Sequence, residues 1–217
     1  MEQVKQFKKY AYLALMFAPL VVSLFVVWFL PETIVSRMDL AGNVTATASR
    51  FSIFLFPILV AILGFAIRVA SSSPKLTGGN VRTARSISWI LLLLLNVIAY
   101  FQFWLYLGGM TAGAQMSRFI TFIFGVFFIL IGNLAPKIKE NSKHFGFRAS
   151  WLKNNDAAFR KTQRFFGIAS VVAGVLMMLT GIFMGNNVAI LVATMIMIIL
   201  IAVTGGYSYY IANVGEV

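Results

Sequence analysis

The sequence predicts an all-α polytopic membrane protein with about six transmembrane helices and both termini in the cytoplasm, and three observations predict it. Hydrophobic residues fill 60% of the 217 positions and charged residues only 11%, which leaves more apolar surface than a water-soluble fold can hide. The apolar residues gather in six stretches, each able to cross a hydrocarbon layer of about 30 Å. The basic residues are distributed by connection: fifteen of the eighteen Lys and Arg fall on one side of the alternating spans and three on the other. The positive-inside rule then assigns both ends and the two basic loops to the cytoplasm.

The elements follow in order. Lys5, Lys8 and Lys9 precede a first span over Tyr10 to Leu30, too long for the apolar core of a secretory signal. A second span covers Phe51 to Val69, and Pro19 and Pro57 are expected to bend these two helices. Between them, Pro31 to Arg50 reads as an ordered, polar outer segment carrying Glu32 and Asp39. Ser71-Ser72-Ser73-Pro74 with Gly78-Gly79 marks a flexible cytoplasmic turn. The remaining spans are Ile87 to Leu107, Phe119 to Ala135, Phe165 to Met184 and Val188 to Ile211. Gly185-Asn186-Asn187 closes the last helical hairpin on the outer side. An N-terminal segment, 1–86, therefore holds two spans and the outer loop, and a second region, 87–217, holds four spans and a basic cytoplasmic loop at 136–164. At the end of that loop Asn155 or Asp156 caps a helix that runs into the fifth span and puts Arg160 and Arg164 on one face.

Packing and chemistry are read from the same residues. Gly167, Gly174 and Gly181 recur every seven positions and form a seam for close helix contact, with Gly185 extending the row. Gly109 and Gly113 share the small-residue spacing but fall in an outer connection and read as a turn. Asn96 and Gln102 are the polar residues within the third span, and interhelical hydrogen bonds are their simplest role. No Asp, Glu, Lys, Arg or His lies midway along any span, which disfavours energy-coupled transport. The absence of cysteine removes thiol chemistry and thiolate metal sites. A single histidine, His144, next to Ser142 and Lys143, has neither triad nor metal spacing. No catalytic activity and no cofactor is expected. The net charge of +12 belongs to the membrane-facing loops, with lipid headgroups as partners and no direct contact to nucleic acid.

The stretch Gly132-Asn133-Leu134-Ala135-Pro136-Lys137-Ile138-Lys139-Glu140-Asn141, with Phe145-Gly146-Phe147-Arg148-Ala149-Ser150-Trp151, resembles the signature of SdpI-type immunity proteins. Arg160-Lys161-Thr162-Gln163-Arg164-Phe165-Phe166-Gly167 is similar to that family's Arg-Lys-Thr-x-Arg-x-x-Gly pattern. Leu30-Pro31-Glu32-Thr33-Ile34 and Asp39-Leu40-Ala41-Gly42-Asn43 resemble the small domain of unknown function that often precedes it. The sequence departs from the family pattern where Ser150 replaces a proline, where Gln163 replaces a His or Asn, and where Phe159 replaces a Trp. The front domain's typical His-Phe-Asn is here Arg37-Met38-Asp39.

The resemblance implies a bacterial plasma-membrane protein that confers resistance to a secreted, membrane-active toxic peptide met on the outer face. It also implies signalling, through a cytoplasmic transcriptional repressor held at the inner face. The residues it singles out for binding, or for shaping the cytoplasmic loop, are Asn133, Pro136, Lys137, Asn141, Gly146, Arg148, Trp151, Lys161, Thr162 and Arg164. The alternative reading is a small-solute transporter or channel.

Overall fold

The computed structural model describes residues 2–38, 44–108, 112–139, 146–152 and 155–214. Six helices in it are long and apolar enough to cross a membrane: Gln6–Phe29, Arg50–Ser72, Val81–Leu107, Ser117–Lys137, Asp156–Phe183 and Val188–Asn213. The chain is thus a multi-pass helical membrane protein, as its composition predicts. In lipid every backbone polar group must be satisfied within its own segment, which long helices achieve.

The helices are α1 (Glu2–Val26), α2 (Leu55–Ser72), α3 (Pro74–Thr77), α4 (Val81–Leu107), α5 (Ala112–Leu134), α6 (Asp156–Phe183) and α7 (Asn186–Val214). Pro19 lies inside α1. Pro57 falls in the first turn of α2, after a 3-10 turn over Arg50–Phe54. An N–H there has no intrahelical acceptor in any case, so the proline marks the junction instead of interrupting the helix. Gly113 belongs to the first turn of α5, a helical position and not the turn expected for it. Gly109 and the 39–43 segment lie outside the described residues.

The chain divides into two compact units, one of Met1–Arg68 with Ser88–Ser117, the other of Val69–Ile87 with Arg118–Val217. In the first unit the 31–50 connection carries a β-hairpin, whose strands are the only ones among the described residues: β1 (Thr33–Met38) pairs antiparallel with β2 (Val44–Ser49). Its pairs are Thr33 with Ser49, Ile34 with Ala48, and Val35 with Thr47, followed by irregularities around Arg37. The hairpin is anchored by Ile34, buried with Val26, Val27, Leu30, Ile53 and Phe103. A second cluster joins Tyr12, Met16, Val60 and Leu92. There the Tyr12 hydroxyl donates to the Gly64 carbonyl at 3.0 Å, its ring meets Trp89 edge-on, and the Arg68 guanidinium lies 4.5 Å from the ring centre.

Asn96 and Gln102 differ from expectation. The Asn96 amide donates to the Leu92 carbonyl of its own helix at 2.9 Å, and the Gln102 amide reaches the Tyr106 hydroxyl one turn on at 3.3 Å. Both bonds stay within α4. A helix puts an i−4 carbonyl within reach of a short amide, so the Asn96 N–H bonds locally before it bridges, while its Oδ1 is buried with no partner among the described residues.

The second unit is built on a glycine seam between α5 and α6. A Cβ added at Gly174 would lie 2.5 Å from the Gly125 carbonyl oxygen, and one at Gly167 would lie 2.7 Å from that of Gly132. Gly181 faces Arg118 and Phe122 in the same way, with 2.8 Å to the Arg118 carbonyl oxygen. The seven-residue row on α6 thus meets a second seven-residue row on α5, running the other way, and the two backbones touch. Gly185 has nothing within 4 Å among the described residues, so it does not extend the seam; it sits past the end of α6, where the chain turns. Arg118 closes that end, its Nε donating to the Gly181 carbonyl at 3.2 Å and a terminal nitrogen to that of Ile182 at 2.5 Å. A cation placed on the last free carbonyls of a helix is favoured by the helix dipole.

Candidate functional site

The segment between α5 and α6 is where the sequence places its signature, and it is fastened to the second unit at four points. The first is Asn80, at the start of α4 and only 5% exposed. Its amide donates to the Lys139 carbonyl at 3.3 Å and its Oδ1 accepts from the Lys139 N–H at 3.0 Å. This is the pairing one strand gives another, supplied by a side chain. Asn80 is held in place by α3, a helical turn in the stretch expected to be flexible. Pro74 starts it, the Thr77 hydroxyl bonds back to the Ser73 carbonyl at 2.9 Å, and Gly78 ends it with φ at 55°.

The second point is Gln163. About two turns earlier, α6 begins with Asn155 as its cap, Oδ1 accepting from the Ala158 N–H at 2.9 Å, so the expected capped helix is present. Gln163 is 1% exposed and its amide brackets Phe147: Nε2 donates to the Phe147 carbonyl at 2.8 Å and Oε1 accepts from the Phe147 N–H at 3.4 Å. Gly146 precedes it with φ at 91°, and a Cβ on Gly146 would lie 2.8 Å from Gln163 Nε2. Both the backbone angle and the space demand glycine. The Phe147 ring packs against Phe166 at 6.1 Å between centroids.

Arg148 and Trp151 are the third and fourth points. The Arg148 guanidinium lies 4.8 Å from the centre of the buried Phe159 ring, a cation–π contact. Trp151, in a 3-10 turn over Ser150–Leu152, donates Nε1–H to the Ser208 hydroxyl of α7 at 2.9 Å and meets Tyr209 edge-on at 5.7 Å. The Ser208 hydroxyl in turn donates a hydrogen bond to the Gly205 carbonyl at 2.7 Å. Phe165 and Tyr207 stack at 4.1 Å between the two helices.

The sequence-derived residues therefore fall into two groups. Pro136, Gly146, Arg148, Trp151 and Thr162 make contacts with other elements, and of them only Thr162 is buried: the Pro136 ring abuts Gly167, and the Thr162 hydroxyl has no hydrogen-bond partner among the described residues. Asn133, Lys137, Lys161 and Arg164 present exposed side chains, and the Asn133 amide bonds only to the Ile129 carbonyl of its own helix. Asn141 and His144 lie outside the described residues. Asn80, Gln163 and Ser208 do as much to shape the loop as any residue singled out from sequence. Gln163 was visible only as a departure from the family pattern. Asn80 and Ser208 had no sequence signal, being ordinary polar residues far from the loop in the chain.

Chemically, this arrangement is a scaffold: aromatic and amide groups hold the loop's backbone while its cations stay at the surface. Among the described residues no group of three or more His, Cys, Asp or Glu is placed to hold a metal ion.

Comparison with known proteins bears on the same segment. The model of the SdpI/YfhL protein family matches residues 137–208, a stretch that ends on the serine receiving the Trp151 hydrogen bond. A domain of unknown function, DUF1648, matches residues 14–61, which take in the β-hairpin. The search of curated proteins and the search of solved structures gave no match. With its clamped loop, α6 and most of α7 inside the matched stretch, the chain carries an SdpI/YfhL family region preceded by a DUF1648 region.

Proposed function

We propose that this chain is an immunity protein of the bacterial plasma membrane, without catalytic activity, that protects its cell against a secreted, membrane-active peptide. The observation that carries the reading is the coincidence of the SdpI/YfhL match with the clamped loop between α5 and α6. The peptide is met on the outer side, as the distribution of basic residues orients the chain. On the inner side the loop offers Lys137, Lys139, Arg148, Lys161 and Arg164, all exposed, to anionic headgroups and to a cytoplasmic repressor. Signalling then requires two arrangements of the helices that the peptide stabilises unequally, since a ligand shifts an equilibrium only by its differential affinity.

The test is survival and membrane potential in a toxin-sensitive bacterium challenged with an SDP-type peptide, comparing the chain, its Arg148→Ala variant and an empty vector at matched membrane expression. Protection by the chain is expected. Loss of protection in the variant makes the loop part of the mechanism, and protection by both demotes Arg148 to packing. Well-expressed chain that gives no protection refutes the reading. The signalling component expects a repressor to move to the membrane fraction only after challenge.

A further inference from the structure

The β-hairpin exposes a feature that membrane immunity as such does not require. A two-stranded sheet has two open edges, and folded proteins normally blunt such edges with charges, proline or bulges. The β1 side is guarded in this way: Pro31 and Glu32 lead into it, Ser36 is an extra residue opposite the Val35–Thr47 and Arg37–Ala46 pairs, and Arg37 is exposed. The β2 side, Val44–Ser49, contains neither charge nor proline in six residues; its own extra residue, Thr45 between the Arg37–Ala46 and Met38–Val44 pairs, lies at the far end from the regular stretch with Thr47 and Ser49, and all three are exposed.

The direction of its free backbone groups follows from one bond. The Arg50 N–H donates to the Glu32 carbonyl at 2.9 Å, so Arg50 points its backbone toward β1. Alternation along an antiparallel ladder gives Ala48 the same direction, and turns the N–H and C=O of Thr47 and Ser49 away. Of these four groups the Ser49 carbonyl begins the 3-10 turn over Arg50–Phe54, and the other three have no partner strand among the described residues. The base of the hairpin is a membrane-interface patch: Trp28 and Phe29 are largely exposed, and the Arg50 guanidinium lies 5.6 Å from the Trp28 ring and 5.4 Å from that of Phe51. Aromatic and basic side chains of this kind sit at headgroup level.

We propose that the outer edge of β2 binds an extended, uncharged segment of a peptide lying in the membrane interface, which adds to the hairpin as a third strand. Such a peptide gains most from this edge, because its own backbone groups are poorly satisfied where water thins out. An uncharged ladder of Thr, Ala and Ser accepts apolar side chains beside it without stranding a charge. A third strand also brings the sheet to the size at which sheets become stable. This inference rests on the reading of the partner as a secreted membrane-active peptide.

The experiment uses the full chain in lipid nanodiscs and an SDP-type peptide labelled with carbonyl 13C, read by isotope-edited infrared spectroscopy and by binding. A strand-type amide band should appear in the peptide when the chain is present. Thr47→Ala, which keeps the outward N–H, should preserve it, while Thr47→Pro, which removes that N–H and none of the bonds to β1, should weaken binding at least tenfold and abolish the band. Thr47→Lys, a charge on an intact edge, carries the same test should the proline variant melt the hairpin. Binding without a strand band, or binding indifferent to Thr47→Pro and Thr47→Lys, overturns the edge while leaving immunity standing; loss of both binding and protection in the unaltered chain overturns both. Because the chain has no cysteine, Thr47→Cys reports self-pairing directly. Disulfide dimers that the peptide does not suppress would put a second copy on this edge and overturn the proposal.

Discussion

Replacing Gly174 by alanine is the sharpest test of how the second unit is held together. The new methyl would lie 2.5 Å from the Gly125 carbonyl oxygen, 2.8 Å from the Ile129 side chain and 2.9 Å from the Ile129 nitrogen. Two of those atoms are backbone, so no rotamer change relieves the contact. Ordinary separation begins near 3.4 Å, so α5 and α6 must part by about 0.9 Å locally, a gap that forfeits a quarter to a half of each dispersion contact along the seam. Overpacking of this kind costs roughly 2–3 kcal/mol. The better helix propensity of alanine returns at most ~1 kcal/mol, for a net loss of about 1–2 kcal/mol. Gly206→Ala is the control: α7 has nothing within 4 Å of that position, and the same substitution should be neutral or stabilise by up to ~1 kcal/mol. The assay is unfolding in mixed micelles of increasing SDS fraction, followed by tryptophan fluorescence. A Gly174→Ala protein as stable as the parent, or a Gly206→Ala protein equally weakened, would refute the seam.

Four further outcomes are expected. Asn80→Ala removes both bonds to Lys139 and should cost about 2 kcal/mol, with faster amide exchange at Lys139 as the local readout and Asn80→Asp intermediate. Gln163→Leu strands the N–H and carbonyl of Phe147 and should cost about 2–3 kcal/mol, exposing the segment around Gly146 to limited proteolysis. Trp151→Phe and Ser208→Ala, combined in a double-mutant cycle, should show a coupling of about 1 kcal/mol; a coupling of zero would mean the indole does not bond that hydroxyl. Asn155→Ala should lower stability by about 1 kcal/mol and Asn155→Asp hardly at all, measured in the same micelle titration.

Reading the sequence recovers most where the physics is local. Length and apolarity of a segment decide whether it can cross a bilayer, and so all six spans were legible. The Asn155 cap was legible because its signal sits beside its effect. The seven-residue glycine row on α6 announced a seam, but its mate on α5 did not: Gly125 and Gly132 look like isolated glycines until the antiparallel register lays them opposite Gly174 and Gly167. The hairpin was read only as an ordered polar loop. Its six-residue strands are too short to be distinguished from loop by periodicity, and the burial of Ile34 that anchors it comes from α1, α4 and the turn before α2.

The site divides along the same line. The motif strings 132–141, 145–151 and 160–167 mark the segment between α5 and α6 from sequence alone, because residue identity is local to the chain. Which members pack and which stay exposed was decided only by tertiary structure. Arg148 finds Phe159, Trp151 finds Ser208, and Lys161 and Arg164 stay at the surface. Asn80 and Gln163, whose amides hold the loop's backbone at Lys139 and Phe147, act across 59 and 16 residues of chain. By itself the sequence determined a multi-pass helical chain with an SdpI-like loop, since hydrophobicity and motif are properties of segments. The structure alone decided what clamps that loop, because a hydrogen bond between distant residues exists only once the helices that carry them are packed.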